Sequence, residues 1–180
     1  MSEKIKDGPF IEYHENGKIK NEGTKINGKV DGLYKSYYEN GQLWNEGFFK
    51  NGILHGPYKT YFENGQLQHE NNMNYGIQHG SQKSYYYNGE LKSEGTNIDG
   101  KLDGTYKVYF ENGQLSNEGT YKDGKVDGLY KSYYENGQLL NEGTFKNGEL
   151  HGTVKLYYEN GQLKIQETYK DGELIDHKKY

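Results

Sequence analysis

The segment GLYKSYYENGQLLNEGTFKNGELH (residues 128–151) decides the fold, because its pattern returns every 24 residues. Asn-Gly recurs at positions 16–17, 40–41, 64–65, 88–89, 112–113, 136–137 and 160–161. Two further rows of glycine keep the same period: Gly28, Gly52, Gly76, Gly100, Gly124, Gly148 and Gly172, and Gly8, Gly32, Gly56, Gly80, Gly104, Gly128 and Gly152. A strict period of this length indicates a repeat architecture in which each unit packs on its neighbours.

Each repeat carries the sequence signal of a β-hairpin. Asn136-Gly137 lies between a tyrosine-rich segment and a segment rich in Leu, Thr and Phe, and we predict a two-residue type I′ turn there. This register places Tyr134 opposite Leu139. A three-residue loop, which places Tyr133 opposite Leu139, is the alternative.

Alternation along the strands predicts two different faces. The two-residue loop pairs Lys131 with Glu142 and lays the ring of Tyr130 over Gly143. The residues predicted on the aromatic face are Tyr130, Tyr134, Leu139, Gly143 and Phe145. Those predicted on the other, charged face are Lys131, Tyr133, Glu142 and Thr144.

The predicted fold is all-β, an elongated single-layer antiparallel β-meander built from seven 24-residue β-hairpin repeats. No segment has the 3.6-residue period of a helix, and the second turn of each repeat leads into the next copy. We expect residues 1–7 to be an N-terminal lead-in, residues 8–175 to form one repeat domain and residues 176–180 to be a C-terminal tail.

Composition excludes several classes of function. The chain has no Cys, and its formal net charge is −4 with lysine as the only strong base. Both the charge and the absence of guanidinium groups argue against a nucleic-acid partner. We find no apolar run of transmembrane length and no secretory signal, so we expect a cytoplasmic protein.

The pattern resembles the MORN repeat, in the bacterial variant found in YwqK-family antitoxin proteins. The resemblance is carried by the runs Gly32–Leu43 and Gly128–Leu139, by Glu118–Gly124 and Glu142–Gly148, and it covers residues 8–175. It implies a hairpin-repeat fold and a protein that binds a toxin as antitoxin or immunity partner. Other MORN proteins act as scaffolds or are proposed to contact membrane lipids. The family offers no catalytic residue to transfer.

Two patterns imitate ligand sites, and we expect neither to bind a cofactor or metal. The stretch Gly119-x4-Gly124-Lys125 is similar to a phosphate-binding loop, but Val126 replaces the required hydroxyl residue and no helix follows. The same holds for the stretches beginning at Gly23 and Gly95.

The second pattern is a row of residues that could ligate a metal, namely His55, His79 and His151 with Asp31, Asp103 and Asp127. Equivalent residues of adjacent repeats lie two strands apart, about 9–10 Å, too far to share one ion. The turns Asp99…Asp103 and Asp123…Asp127 could hold Ca²⁺ only weakly, because they lack a dense carboxylate set.

Partner selectivity in a repeat array must come from residues that differ between copies. The segment 68–82 departs repeatedly from the pattern, and Trp44 stands at a mostly polar position. A local bend, drift and an epitope all remain open for this segment. The candidate partner-binding residues are Trp44, Gln68, His69, Asn71, Asn72, Met73, Tyr75 and Gln82.

A row of tyrosines at one position leaves two interpretations open. It either interlocks the repeats or forms a contact ladder for a partner. The row comprises Tyr13, Tyr37, Tyr61, Tyr85, Tyr109, Tyr133 and Tyr157.

These observations predict a non-catalytic protein-binding repeat protein, and not an enzyme. We expect a protein partner, with a cognate toxin as the leading candidate, and neither nucleic acid nor a small-molecule substrate. The alternative is a scaffold or self-associating module, including a homodimer through edge strands; contact with membrane lipids is the least favoured.

Overall fold

The computed structural model describes residues 7–180, so most of the expected lead-in, residues 1–6, lies outside the described part of the chain. The chain divides into two compact units, which meet in sequence between Gly89 and Glu90. We call them unit 1 and unit 2. Residues 7–180 contain strands and turns and no helix, so the predicted all-β class is confirmed.

Unit 1 is an antiparallel meander. β1 pairs with one side of β2, β3 and β4 both pair with the other side of β2, and from β4 to β8 each strand pairs with the next one along the chain. Its strands are β1 (Gly8–Tyr13), β2 (Ile19–Ile26), β3 (Lys29–Val30), β4 (Gly32–Tyr37), β5 (Leu43–Lys50), β6 (Ile53–Tyr61), β7 (Leu67–Asn74) and β8 (Ile77–Tyr85).

Unit 2 repeats this arrangement, again with antiparallel pairing between successive strands. Its strands are β9 (Leu91–Ile98), β10 (Lys101–Leu102), β11 (Gly104–Tyr109), β12 (Leu115–Lys122), β13 (Lys125–Tyr133), β14 (Leu139–Lys146), β15 (Glu149–Tyr157), β16 (Leu163–Lys170) and β17 (Glu173–Lys179). The last strand takes in most of the segment expected to be a tail. Within each unit the predicted antiparallel hairpin meander is confirmed.

The turn at Asn136-Gly137 differs from the predicted two-residue type I′ turn. The N–H of Tyr134 donates to the carbonyl of Gln138 (2.8 Å) and the N–H of Gly137 donates to that of Tyr134 (2.9 Å), which encloses a three-residue loop. Gly137 has positive φ (82°), as expected for the glycine that closes such a loop. Tyr133 therefore pairs with Leu139, and the alternative register is correct at this end.

A β-bulge restores the predicted register further along the same hairpin. The pairing shifts between Ser132 and Tyr133, so that Leu140 has no residue opposite it. Beyond the bulge Lys131 faces Glu142 and Tyr130 faces Gly143, as the sequence predicts. The bulge at Leu140 in β14 thus compensates for the extra residue of the three-residue loop.

The type I′ turns lie at the second turn of each repeat instead. Asn147 and Gly148 both have positive φ (53° and 89°), and Lys146 pairs directly with Glu149. Asn, Asp and Gly tolerate this backbone region better than other residues do. Tyr75 holds the same left-handed conformation (φ 46°), at a position where the other repeats have Asn or Asp.

The aromatic face is held by rings that lie over glycines and against each other. A Cβ on Gly119 would lie 2.7 Å from Cδ2 of Tyr130, so this position admits only glycine beside the ring. Tyr130 also meets Phe145 edge-on, with ring centroids 6.0 Å apart. Phe49 contacts Tyr34 in the same way in unit 1.

No apolar side chain within residues 7–180 is fully buried. The most buried side chains are small and polar, namely Ser36, Asn45, Asn97 and Ser132. A single layer of sheet has no second layer to cover either face, so stability has to come from contacts between neighbouring strands and repeats. Both faces therefore remain available to a partner.

Candidate partner-binding surface

Five tyrosines of the row on the charged face join their repeat to the preceding one. The hydroxyl of Tyr133 donates to Oε1 of Glu118 at 2.9 Å, and Tyr37 donates to Oε1 of Glu22 at 2.6 Å. The same bond is made by Tyr61, Tyr109 and Tyr157. Burial, followed by the bond to the carboxylate, raises the pKa of Tyr133 to about 12. This arrangement corresponds to the interlocking interpretation of the row.

The first turns are joined by the asparagine side chain. Oδ1 of Asn40 accepts the N–H of Gln42 at 2.8 Å, while Nδ2 donates to the carbonyl of Glu63 in the next turn at 3.0 Å. Asn112 makes the equivalent bonds to Gln114 and Glu135. Asparagine at this position thus connects repeats through its amide group.

Aspartates at the position shared by Asp31 and Asp127 cap the second turns. Both carboxylate oxygens of Asp7 accept N–H groups, from Gly28 and Asn27, at 2.9 Å. These bonds, led by the one from Gly28, lower the pKa of Asp7. Asp31 accepts the N–H of Asn51 in the same way. No group of three or more potential metal ligands occurs among the described residues. The aspartates of this row therefore have a structural role where they accept the N–H groups of a turn.

Trp44 lies at the bulge of the β4–β5 hairpin, where the pairing passes from Ser36–Asn45 to Tyr37–Leu43. A bulge redirects the side chain that it carries. The indole is 48% exposed and packs on the ring of Tyr38, with centroids 6.0 Å apart. Trp44 also lines a depression of about 280 Å³ together with His14, Lys20, Asn21, Tyr37, Tyr38 and Glu39.

Three departures in the segment 68–82 form one coupled network. Asn71 replaces the glycine under the ring, Gln82 faces it in place of the tyrosine, and Gln78 replaces an aliphatic residue. Nε2 of Gln78 contacts both Oδ1 of Asn71 and Oε1 of Gln82 at 2.9 Å. An amide cluster thus substitutes for the glycine–tyrosine contact. The three substitutions are visible in the sequence, but the contacts among them could be recognised only from the strand pairing.

The other predicted residues of this segment do not share one face. Met73 and Asn71 alternate with Asn72 along β7, so Asn72 projects to the charged face, where Nδ2 donates to Oγ of Ser81 at 2.9 Å. Oε1 of Gln68 accepts the hydroxyl of Thr60 at 3.3 Å. His69 pairs with Thr60 and with Ser84 in the ladder. The candidate residues therefore form two groups, divided between the faces.

Tyr75 is 54% exposed, more than Trp44. Its ring lies 4.5 Å from the ring of His55, between centroids, on the neighbouring second turn. A bulky residue held at positive φ stores strain, and such strain often marks a functional position. Tyr75 therefore combines an unfavourable backbone conformation with an exposed ring.

An apolar group on the charged face was missed by the sequence interpretation. Leu33 pairs with Phe48, and the two side chains are 41% and 48% exposed. Leu33, Phe48 and Pro57 line one depression on this face. Phe48 occupies a position that is Thr in five other repeats, and this was the available signal.

Comparison with known proteins identifies the family. No curated protein matches the chain. Among the described residues, no helix has the length and apolar character needed to cross a membrane. The model of the family described as MORN repeat variant matches seven consecutive segments of the chain, residues 6–24, 30–51, 54–75, 78–96, 102–123, 126–147 and 150–171. Since these matches cover most of the sequence, the chain belongs to the MORN repeat variant family.

Proposed function

We propose that this protein binds another protein without catalysis, and that it acts as the antitoxin or immunity partner of a protein toxin. The observation that carries the proposal is the pair of exposed aromatic residues in unit 1, Trp44 at a bulge and Tyr75 at a strained turn. Neither follows the repeated pattern, and neither is needed for the hydrogen bonds that join the repeats. Trp and Tyr are the residue types most often found at binding hot spots.

The antitoxin role is supported by the resemblance to YwqK-family antitoxin proteins and by a surface open on both faces. The partner is then expected to contact unit 1 at Trp44, in β5 beside the first turn, and at Tyr75, in the second turn between β7 and β8, with Asn72 and the amide cluster on β7 and β8. The proposed site comprises Trp44, Gln68, His69, Asn71, Asn72, Met73, Tyr75 and Gln82.

The direct test is co-expression with the product of the neighbouring gene. If that product arrests growth, the wild-type chain is expected to restore growth and to form a complex with it. Trp44→Ala is expected to weaken the complex by at least about 2 kcal/mol, because a truncated Trp hot spot loses that much. A harmless neighbour, or one that does not bind, contradicts the antitoxin role.

A matched control separates binding from folding. Leu140 occupies the position of Trp44 in unit 2, also at a bulge, so Leu140→Ala removes a comparable side chain outside the proposed site. We expect Leu140→Ala to leave affinity unchanged. Tyr75→Asn introduces a residue suited to positive φ, and it should reduce affinity while melting temperature stays level or rises.

The second candidate function is self-association as a scaffold. The observation that favours it is β17, which pairs with β16 in unit 2 and whose seven residues are all exposed. A strand with a free side can pair with another copy. Ile175→Pro should convert a dimer to a monomer in sedimentation experiments if β17 forms the contact; a wild-type monomer rejects this candidate.

A further inference from the structure

The charged face of unit 1 carries two shallow depressions that repeat with the sequence. The first has a volume of about 280 Å³, and its lining includes Pro9, Glu22, Gly23, Thr24, Leu33 and Lys35. The second, of about 270 Å³, is lined by Leu33, Glu46, Gly47, Phe48, Pro57 and Lys59. Each of these second residues lies 24 positions after its counterpart, and Leu33 belongs to both depressions.

The same depression occurs in unit 2 with a different chemistry. There it has a volume of about 200 Å³ and is lined by Thr105, Glu118, Gly119, Thr120, Leu129 and Lys131. The backbone of the repeat therefore creates the depression, while individual residues decide what it accepts. The first depression of unit 1 has Pro9 where unit 2 has Thr105, and the second has Leu33 and Phe48 where unit 2 has Thr105 and Thr120, so both are more apolar than their counterpart.

The spacing of the depressions selects the conformation of a ligand. Equivalent points in adjacent repeats are two strands apart, about 9.5 Å. A polyproline II segment returns the same side to the surface every three residues, over about 9.3 Å. A β-strand does so every two residues, over about 6.8 Å, and a helix every seven, over about 10.5 Å. The polyproline II period fits best.

We propose that the charged face of unit 1 binds a polyproline II segment of a protein partner, laid across the strands with one apolar residue per depression. This inference rests on the proposed protein-binding function and specifies the segment of the partner that is recognised. Apolar and aromatic side chains line the grooves of other polyproline II receptors. Here Leu33, Phe48 and Pro57 supply that lining.

Electrostatic complementarity supports the same ligand. The carboxylates of Glu22 and Glu46 accept the hydroxyls of Tyr37 and Tyr61. The ammonium of Lys35 lies 3.9 Å from Oε2 of Glu46 and that of Lys59 lies 3.2 Å from Oε1 of Glu70, so each lysine has one carboxylate neighbour and further N–H donors on the same ammonium. A polyproline II backbone makes no internal hydrogen bonds, so its carbonyl oxygens are free to accept from such lysines. Lys35 and Lys59 border the two depressions, one in each repeat.

The test uses two synthetic peptides of equal composition. In the first, Pro-Pro-Leu is repeated four times, so that leucine returns every third residue in a polyproline II background. In the second, the leucines are separated alternately by two and by four positions. Each peptide is titrated into the chain in a calorimeter. The first peptide should bind at least about tenfold more tightly than the second, since misplacing one leucine loses about 1.5 kcal/mol or more.

Variants locate the binding site. Phe48→Thr introduces the residue found at this position in most repeats, and it should abolish the preference for the periodic peptide. Leu129→Thr, which changes the counterpart of Leu33 in unit 2, should leave the preference intact. Equal affinity for both peptides, or an unchanged preference in Phe48→Thr, overturns the inference. Either result leaves the co-expression test of the proposed function unaffected, because that test relies on Trp44.

Discussion

At the scale of single residues, side chains that follow the repeat pattern make different contacts from those that depart from it. Tyr133, Asn112 and Asp31 each bond to a neighbouring repeat and so maintain the framework. Trp44 and Tyr75 make ring contacts on the surface and leave much of their area exposed. The repeated residues are therefore expected to control stability, and the deviating ones recognition.

The tyrosine row predicts a loss of stability at high pH. Tyrosine ionises at pH 10.0 when unperturbed, and the pKa of Tyr133 rises to about 12 in the fold. The contribution to stability is therefore complete below pH 10.0 and is lost as the pH rises to about 12, because only the unfolded chain ionises readily in that range. Denaturant unfolding at several pH values, with tyrosinate absorbance, measures both effects.

A single substitution checks the part of this shift that the bond to the carboxylate contributes. Glu118→Gln removes the charge next to Tyr133, so the pKa of that tyrosine should fall part of the way toward its ordinary value, while burial, the larger cause, continues to raise it. Glu135→Gln, in the exposed loop, serves as the control and should leave the titration unchanged. If every tyrosine of the wild-type fold ionises near pH 10, the bond to glutamate does not exist in solution.

The amide cluster predicts strong coupling between two strands. Gln82→Tyr alone should destabilise the fold by about 1–3 kcal/mol, because the ring would meet Asn71 where other repeats have glycine. Adding Asn71→Gly and Gln78→Leu restores the repeated arrangement and should recover most of that loss. Chemical denaturation of the single and triple variants measures the coupling. A triple variant no more stable than Gln82→Tyr argues against the coupled network.

At the scale of strands and turns, the sequence predicted a hairpin at every Asn-Gly and the pairing of Lys131 with Glu142. It mistook the type of the first turn because the Asn-Gly preference describes an isolated hairpin. Here the amide of Asn40 donates a hydrogen bond to the carbonyl of Glu63 in the adjacent repeat, and the sequence around the turn does not indicate this partner. The positive-φ pair instead lies at Asn147-Gly148.

The candidate site was predictable to the same extent. Trp44 and segment 68–82 stand out in sequence because they break the pattern. Two features of the site depend on the strand register, namely the division of that segment between two faces and the pairing of Leu33 with Phe48. The sequence left this register uncertain, because it predicted the wrong type for the first turn.

The asparagine ladder predicts unequal effects at equivalent turns. Asn112→Ala removes the bond within the turn and the bond to the next repeat, so it should destabilise by about 1–2 kcal/mol. Asn160 makes the turn bond to Gln162, while its Nδ2 contacts the side chain of the same residue. Asn160→Ala should therefore cost less. Equal shifts in melting temperature would mean that the bonds between repeats contribute nothing.

At the scale of the whole molecule, the absence of a fully buried apolar side chain in residues 7–180 makes neighbour-to-neighbour bonds the main source of order. Such a chain can change surface residues at little cost in stability, because few of them support a core. The individual residues concentrate in unit 1, which has Trp44, Phe48 and Tyr75, whereas unit 2 has Leu140, Thr144 and Asp171 at matching positions.

The most direct test of the account replaces the individual residues of unit 1 by those of the regular repeats. A chain with Trp44→Ser, Phe48→Thr and Tyr75→Asp should melt within a few degrees of the wild type, because these residues occur at the same positions elsewhere in the chain. Calorimetric titration of the proposed partner, the product of the neighbouring gene, into both chains is the deciding measurement. We predict that the substituted chain loses binding while remaining folded; native affinity in that chain would contradict the central claim.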